Sequence, residues 1–332
     1  MIRGKHIVFL LLAGMMLTAC RQSIEEDLHP VSRCASCPVS LTSAASFTCN
    51  GKLYVFGGRD ASGHPTNRLY AYHPETDSWS DEGATPLKAR VRPRAVEIGG
   101  EVYIGLGFNG HVQVDTAYLK DWWHWTPASN TWSSLDTLPS DRTVGPVTDT
   151  DGKYIYAVFG GKKNFERWIF RYDISSDSWD KLADGLPRMA SYPPRAHSAA
   201  GNFCQGRFFL GAGYTRDGSD DFWCEAELKG DSVIWHGRCG IPGKRHNAVS
   251  VSDGQYIYLI GGHYYGGTLT NGGLYDEVLR YDPQADRWTR IARLPDGGRE
   301  NLCAWVHLGV LYVGLGNDEN NKACSQLYQI QL

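Results

Sequence analysis

Apolar and polar residues fall in short runs along most of this chain, and turn residues separate the runs at regular intervals. A clear example comprises runs at 248–251, 256–260, 277–281 and 288–290. Runs of this length, bounded by Asp, Gly and Pro, predict short β-strands. A module of roughly 50 residues with this pattern recurs about six times from position 41 onward. The pattern therefore predicts an all-β array of repeated four-stranded sheets.

Each module has the same internal order. An apolar strand ends in glycines, a Tyr-bearing strand and an Asx/Pro turn follow, and a Trp strand closes the module. The glycine endings are 57–58, 105–107, 160–161, 211–213, 261–262 and 314–316, and the tryptophans are Trp79, Trp132, Trp179, Trp235 and Trp288. This order resembles the kelch repeat. The resemblance implies a six-bladed kelch β-propeller of four-stranded antiparallel blades, with glycines near its axis and aromatic side chains between blades.

The last module predicts how the ring closes. It ends after a strand at 326–331 and has no Trp strand. An exposed sheet edge is a liability, so we expect the segment before residue 41 to supply the missing strand. Disulfides offer a further clasp, from Cys34 or Cys37 to Cys324 or Cys303, and Cys224 and Cys239 form a second candidate pair across a turn.

The N-terminus has the pattern of an export signal. Arg3 and Lys5 precede an apolar run at 7–16 that is too short to span a bilayer, and Leu-Thr-Ala-Cys ends at Cys20. This ending resembles the lipobox of bacterial lipoproteins. It implies a signal peptide at 1–19, a lipid on Cys20, a tether and closing strand at 20–40, and a propeller at 41–332.

The expected location is therefore the cell envelope, as an outer-membrane lipoprotein on the periplasmic face or the cell surface. The acidic residues after Cys20 suit a solvated tether and also resemble an acidic surface-export tag. The lipid would be the protein's only contact with the membrane. A neighbouring outer-membrane protein is a candidate partner.

Composition excludes several functions. The chain has 33 Lys and Arg against 36 Asp and Glu, for a net charge of −3, and it therefore lacks the basic excess of a nucleic-acid binder. It contains no phosphate-binding loop, zinc motif or recognisable Ser/His/Asp order. We therefore expect no cofactor and no metal.

Arginines recur 15 to 18 positions before the glycines, at the entrance to each innermost strand. In an antiparallel meander this entrance shares a rim with the loop that follows the glycines. A guanidinium suits a carboxylate or phosphate, so these arginines are candidates for anion binding. They are equally candidates for bracing the loops between blades. The recurring arginines are Arg90, Arg142, Arg195, Arg245 and Arg299.

Departures from the repeat add further candidates. Arg92 and Arg94 alternate with Arg90, and this spacing points at least two of the three side chains the same way in an extended strand. Another group follows the recurring arginines or adds aromatic surface near the rim. For His197 and His246 the alternative is a hydrogen-bonded position between blades, and for Glu300 it is an ion pair with Arg299 or a neighbouring guanidinium. This group contains His197, His246, Glu300, Trp123, His263 and Tyr264.

Two function classes fit these residues. We expect a binding module for an acidic sugar or acidic peptide at the arginine-rich mouth. The alternative is an enzyme, because the segments 53–58 and 88–93 resemble those of exported sialic-acid mutarotases, which are kelch propellers. That resemblance implies a carboxylate clamp by Arg245 and Arg299, with Glu300 or His263 moving the proton.

A third resemblance, to galactose oxidase, rests on the sequence 263–265. Copper there needs a second His and a Tyr that converge on the channel. The chain is also far shorter than those enzymes, so we do not expect an oxidase.

Overall fold

The computed structural model describes residues 24–110, 117–140, 145–160, 168–183, 192–265 and 272–332. Within these ranges the chain forms six blades around a central channel, and each blade is built on four antiparallel strands. The inner strand of each blade contacts that of the next, and the sixth contacts the first. The predicted six-bladed propeller is confirmed. No helix that could span a membrane occurs among the described residues.

The blades are numbered in chain order, and their strands are given from the channel outward. Blade 1 has Ala45–Cys49, Lys52–Phe56, Arg68–His73 and Ser78–Ala84; blade 2 has Arg94–Ile98, Glu101–Gly105, Trp122–Thr126 and Thr131–Leu135; blade 3 has Val147–Thr150, Tyr154–Val158, Ile169–Asp173 and Ser178–Leu182. Blade 4 has Ala200–Cys204, Arg207–Gly211, Trp223–Lys229 and Ser232–Gly237; blade 5 has Val249–Ser252, Ile257–Ile260, Glu277–Asp282 and Arg287–Arg293; blade 6 has Cys303–His307, Val310–Gly314, Leu327–Gln331 and Val31–Cys34. Short pairs outside the blades are Leu41–Thr42 with Arg59–Asp60, Tyr214–Thr215 with Gly218–Ser219, and His263–Tyr265 with Gly272–Leu274.

The N-terminal segment closes the ring as predicted. Val31–Cys34 pairs antiparallel with Leu327–Gln331 and forms the outer strand of blade 6. The backbone N–H groups of Cys37 and Leu41 then donate to the carbonyls of Ser325 and Cys324, at 2.8 and 3.1 Å. Backbone hydrogen bonds therefore make the clasp.

The proposed disulfides are not formed in this structure. All eight described cysteines are free, including those of both suggested clasps. Burial raises the pKa of the Cys37 thiol to about 11 and also raises that of Cys303. Both side chains therefore pack as apolar thiols in the cluster between blades 6 and 1.

The acidic segment after Cys20 lies on the propeller surface where it is described. Glu25–Glu26 adds a parallel strand to the outer edge of blade 5. Glu26 pairs with Arg290, and Asp27 lies 3.3 Å from Arg280. These acidic side chains complement a basic blade edge. Residues 1–23, which include the signal and Cys20, lie outside the described residues.

The recurring Tyr and Trp residues join neighbouring blades, as predicted for core aromatics. In blade 3 the Tyr172 hydroxyl donates to Asp177 at 2.7 Å, and the same carboxylate accepts the backbone N–H of Asp136 at 2.8 Å. The Trp179 indole donates to the Asp136 carbonyl at 3.1 Å. Blades 1 and 5 repeat this arrangement through Tyr72, Asp77, Trp79 and Ala35, and through Tyr281, Asp286, Trp288 and Cys239.

The second glycine of each ending fixes the approach of adjacent blades. At Gly316 φ is +84°, and an added Cβ would lie 2.5 Å from the Glu300 carbonyl oxygen. In blade 3 this position is Gly160, with φ of 86°, and it follows Phe159. The predicted ending at 160–161 is therefore one residue out of register.

Candidate functional site

Three of the recurring arginines are buried between blades. Arg245 donates to Glu277 Oε1 at 2.5 Å and to the Gly261 carbonyl at 3.1 Å, and its guanidinium carbon lies 3.9 Å from the centre of the Tyr275 ring. A guanidinium held on all sides in this way is a structural brace. Of the two alternatives, the structure favours bracing for Arg245.

Arg90 and Arg299 occupy the equivalent positions. Arg90 donates two hydrogen bonds to Asp121, at 3.0 and 2.7 Å. Burial alone would raise the pKa of Asp121, but the bonds from Arg90 lower it below its usual range. Arg299 is buried near Asp296, at 3.5 Å, and over the Tyr328 ring. Neither guanidinium lines a cavity at the channel mouth.

Arg195 does not belong to this series. The second glycine of a blade donates its N–H to the carbonyl of Arg90, Arg245 or Arg299 at the entrance to the next blade. At the entrance to blade 4 the acceptor is Ala196, at 3.3 Å. The sequence alignment is therefore one residue out of register there, and the Arg195 side chain is exposed. Arg142 lies outside the described residues.

A ring of six residues, one from each blade entrance, encircles the channel between two cavities. We call this ring the waist. Its members all have a left-handed backbone, with φ between 54° and 56°. Four of them donate their backbone N–H to the carbonyl of the preceding member, at 2.7 to 3.1 Å. The waist consists of Ser43, Arg92, Gly145, Ser198, Asn247 and Asn301.

Arg92 is the one long side chain in the waist, and it crosses the channel. Its Nη1 donates to Ser198 Oγ at 2.6 Å, and its Nη2 donates to the side-chain oxygens of Asn247 and Asn301 at 2.7 and 3.3 Å. Burial lowers the pKa of Arg92, and nearby Glu300 opposes this shift. The guanidinium still remains charged at neutral pH, and its three side-chain partners are neutral.

The mouth cavity lies on one side of the waist and has a volume of about 640 Å³. Its cations are Arg59, Arg92 and Lys322, and no ion pair among the described residues involves them. Asp60 is the acidic side chain in the lining. The field in this mouth is therefore positive. The remaining lining residues are Thr42, Ser43, Ala61, Gly63, Val91, Phe108, His197, Asn317, Asn321 and Ala323.

A second cavity of about 460 Å³ lies on the other side of the waist, among the innermost strands. Arg94 faces it and donates to backbone carbonyls, and burial and Arg92 together lower the pKa of Arg94 to about 10. Asp149 also lines this cavity, and burial raises the pKa of its carboxyl to about 6.

Two histidines and a glutamate meet beside the mouth, on blades 5 and 6. The rings of His246 and His263 stack with their centres 5.1 Å apart, and His263 Nδ1 lies 3.6 Å from Glu300 Oε2. The ligand atoms of the three residues all lie within 4.8 Å of one another. We call this group the His–Glu cluster. It unites His246 with His263 and Glu300, which the sequence analysis names as the alternative proton-transfer groups.

Neighbours orient the cluster. His246 Nδ1 lies 2.9 Å from Ser219 Oγ, and Glu300 Oε2 accepts a 2.7 Å hydrogen bond from the Asn247 amide. Burial, followed by the charges of neighbouring groups, lowers the pKa of His246 to about 3, so this imidazole is neutral at physiological pH. The side-chain oxygen of Asn247 also accepts a hydrogen bond from Arg92, so this one side chain connects the cluster to the waist guanidinium; we call this connection the Asn247 relay.

The other predicted residues are not members of the cluster. His197 lines the mouth and stacks on Tyr214, with ring centres 5.4 Å apart. Trp123 donates to Asp121 at 2.9 Å and packs in the core between blades 1 and 2. Tyr264 lies on a short hairpin next to His263 and is partly exposed. Of these three, His197 is in the mouth lining.

Sequence reasoning missed the polar waist. Ser198, Asn247 and Asn301 look like ordinary turn residues, and nothing marks them individually. A signal does exist. Each of these residues lies two positions after the residue whose backbone carbonyl accepts the N–H of the preceding blade's glycine, as Arg92 lies two positions after Arg90 in blade 2. A correct register across the six entrances would have found it.

Comparisons with known proteins agree with this fold. Residues 25–213, more than half of the chain, match the KLHDC2/KLHL20/DRC7 Kelch-repeats domain, and residues 244–295 match the Kelch motif. Kelch-like protein 35 of Mus musculus is 26% identical over 281 residues, covering 83% of this chain and 43% of that protein. N-acetylneuraminate epimerase of Pasteurella multocida is 28% identical over 148 residues, covering 43% of this chain and 37% of that protein.

The chain thus spans less than half the length of either curated relative. The solved structure of YjhT superposes with a TM-score of 0.71 at 16% identity and covers 89% of this chain and 95% of YjhT. Similarity at this level of identity concerns the fold alone.

Proposed function

Because this chain belongs to the kelch-repeat family, whose propellers act as recognition modules, we propose that its channel mouth binds a small carboxylate-bearing ligand, specifically an acidic sugar. The fold does not choose the ligand, so the argument rests on the site. One observation carries it: the waist guanidinium of Arg92 has three neutral side-chain partners and opens onto a cationic cavity.

The charge of Arg92 has no carboxylate directly on it. The braced arginines differ, since Arg245 and Arg90 each contact an acidic side chain. An anion in the mouth would gain charge-assisted hydrogen bonds in a partly desolvated site. Arg59 and Lys322 line the same cavity and add to the attraction.

The size of the mouth favours a small molecule over a peptide. Its volume of about 640 Å³ lies within the ~300–1,000 Å³ of small-ligand pockets. Val91 and Phe108 supply apolar contacts for a sugar ring, while Asn317 and Asn321 supply hydrogen-bonding groups for hydroxyls. An acidic peptide is the competing ligand in the test.

Ligand-observed proton NMR tests the proposal. We expect the proton resonances of sialic acid and glucuronic acid to broaden, or to receive saturation transfer, when the protein is present. The methyl ester of sialic acid should bind much more weakly. Arg92→Gln should weaken acid binding about 10–100-fold, because a charged hydrogen bond contributes roughly 1.5–3 kcal/mol. Arg195→Ala, which removes an exposed cation of the same kind, should leave binding unchanged.

Equal binding of acid and ester, or unchanged binding to Arg92→Gln, would refute a carboxylate site at the waist. If acidic peptides bind and acidic sugars do not, the ligand of the mouth is an acidic peptide and not an acidic sugar.

A mutarotase is the second candidate, and the His–Glu cluster favours it. Ring opening of an acidic sugar needs a proton donor and acceptor near the anomeric hydroxyl. His263 and Glu300 lie 3.6 Å apart and one relay from Arg92, and they retain partial exposure. The relative from Pasteurella multocida carries the name of an epimerase of N-acetylneuraminate.

The same NMR samples separate the two functions. A freshly dissolved single anomer should approach equilibrium faster with the protein if it is a mutarotase. Glu300→Gln should remove the acceleration while leaving line broadening by the bound sugar. Binding without acceleration supports a recognition module.

Export and lipidation extend the proposal to the N-terminus. The lipobox-like sequence ending at Cys20 supports a lipid-anchored protein of the cell envelope. Cys20→Ser should shift the protein from the membrane fraction to the soluble fraction. Intact-mass analysis should show the lipid on the wild type alone. A wild-type chain that keeps residues 1–19 would contradict this assignment.

A further inference from the structure

We propose that the His–Glu cluster is a binding site for a divalent transition-metal ion, with His246, His263 and Glu300 as its protein ligands. The three ligand atoms lie within 4.8 Å of one another in three different chain segments. The segments are fixed by backbone pairing, since His246 bridges His263, and Glu300 bridges Asn317. The site thus rests on the scaffold of blades 5 and 6.

The donor set selects the class of metal. Two imidazoles and one carboxylate suit zinc, cobalt or nickel, whereas calcium and magnesium prefer oxygen-only sites. Three protein ligands also leave coordination positions open to solvent or a ligand. His263 and Glu300 retain side-chain exposures of 34% and 15%, which gives an ion a route in.

The surroundings already hold the ligands in place. Metal-bound histidines usually use their second ring nitrogen for an outer hydrogen bond, and Ser219 Oγ, 2.9 Å from His246 Nδ1, is placed for this role. Asn247 holds Glu300 by a 2.7 Å hydrogen bond.

The charges around the cluster are compatible with a bound cation. Arg92 is the nearby cation, and it reaches the cluster through the Asn247 relay rather than by direct contact. Glu300 provides the compensating negative charge. His263 Nδ1 lies 3.6 Å from Glu300 Oε2, beyond ordinary hydrogen-bond length.

Cobalt titration of the whole purified chain, freed of metal by chelator and without sugar, tests the proposal. We expect saturable binding of one Co²⁺ per chain with visible ligand-field absorption, and displacement by ZnCl₂, which binds such sites more tightly. His246→Asn, His263→Gln and Glu300→Gln should each weaken cobalt binding at least tenfold. Ser219→Ala should weaken it by about 10–100-fold, as loss of an outer partner does.

The matched control is His236→Ala. His236 and Glu227 form a surface pair 2.8 Å apart, so this variant removes a histidine beside a carboxylate without touching the cluster. It should bind cobalt as the wild type does. The thermal midpoint of each variant shows whether it is folded. If the histidine variants do not fold, Glu300→Gln, which preserves the size of the side chain, tests the site on its own.

Three results would overturn the proposal: no saturable binding, equal weakening by the control, or an intense thiolate-to-cobalt charge-transfer band that places the ion on the free cysteines. Because no sugar is present, none of these results bears on carboxylate binding at the mouth. Loss of sugar binding in the NMR experiment likewise leaves the metal titration unaffected.

Discussion

Replacing Arg245 tests whether the recurring arginines hold the fold or the ligand. Arg245→Ala removes a completely buried guanidinium and leaves Glu277 with Arg290 as its remaining cation. Breaking a buried ion pair costs about 3–5 kcal/mol. Since Arg290 still compensates Glu277, we expect the lower end, about 3 kcal/mol.

This magnitude converts to a measurable shift. An unfolding entropy of about 2.1 cal/mol/K per residue over roughly 300 residues gives about 0.6 kcal/mol/K, so the thermal midpoint should fall by about 5 °C. Arg245→Lys keeps the charge but loses the forked hydrogen bonds, so its thermal midpoint should fall by less than that of Arg245→Ala. Arg195→Ala changes an exposed side chain and should stay within about 0.5 kcal/mol of the wild type.

Calorimetry at one scan rate and urea unfolding supply the measurements, and NMR titration with sialic acid reports binding by each folded variant. We expect the affinity of Arg245→Ala for sialic acid to stay within about twofold of the wild-type affinity. This is well below a tenfold change, which corresponds to about 1.4 kcal/mol. An Arg245→Ala protein of wild-type stability that no longer binds the acid would refute the bracing role.

Three further substitutions probe the fold. Tyr172→Phe should cost about 1 kcal/mol in urea unfolding, because the hydroxyl bond to Asp177 is lost while the ring still packs; a neutral effect would contradict the interblade link. Gly316→Ala should cost about 1–3 kcal/mol, since its Cβ would meet the Glu300 carbonyl at a left-handed backbone position, and wild-type stability would show that the blades can part. Arg287→Ala should change stability by less than about 0.5 kcal/mol, because its ion pair is exposed, and a larger loss would show that the pair matters more than such pairs do.

The repeat was predictable because each module carries its own strand and turn signals. The strand expected at 277–281 is observed as Glu277–Asp282, and that expected at 326–331 as Leu327–Gln331. Closure by the N-terminal segment followed from the missing outer strand. These features depend on local pattern and on the need to cover a sheet edge.

The site was less predictable because it depends on register at the blade entrances. Counting back from the glycines placed Arg195 in the series, whereas the backbone places Ala196 there. One residue decides whether a side chain braces two blades or faces solvent. The convergence of His246, His263 and Glu300 spans two blades, and no spacing in a single repeat reveals it.

Arg92→Gly is the change that should separate ligand binding from stability most cleanly. The arginine holds a φ of 55°, which glycine adopts readily, and Gly145 already occupies the equivalent waist position in blade 3. Relief of this backbone strain offsets part of the three lost hydrogen bonds, whose partners face cavities that water can enter. We expect urea unfolding to change by no more than about 1–2 kcal/mol, while affinity for sialic acid falls at least tenfold because the waist loses its charge. A strongly destabilised protein would make Arg92 another brace, and a stable protein with unchanged affinity would move the acid site elsewhere on the propeller.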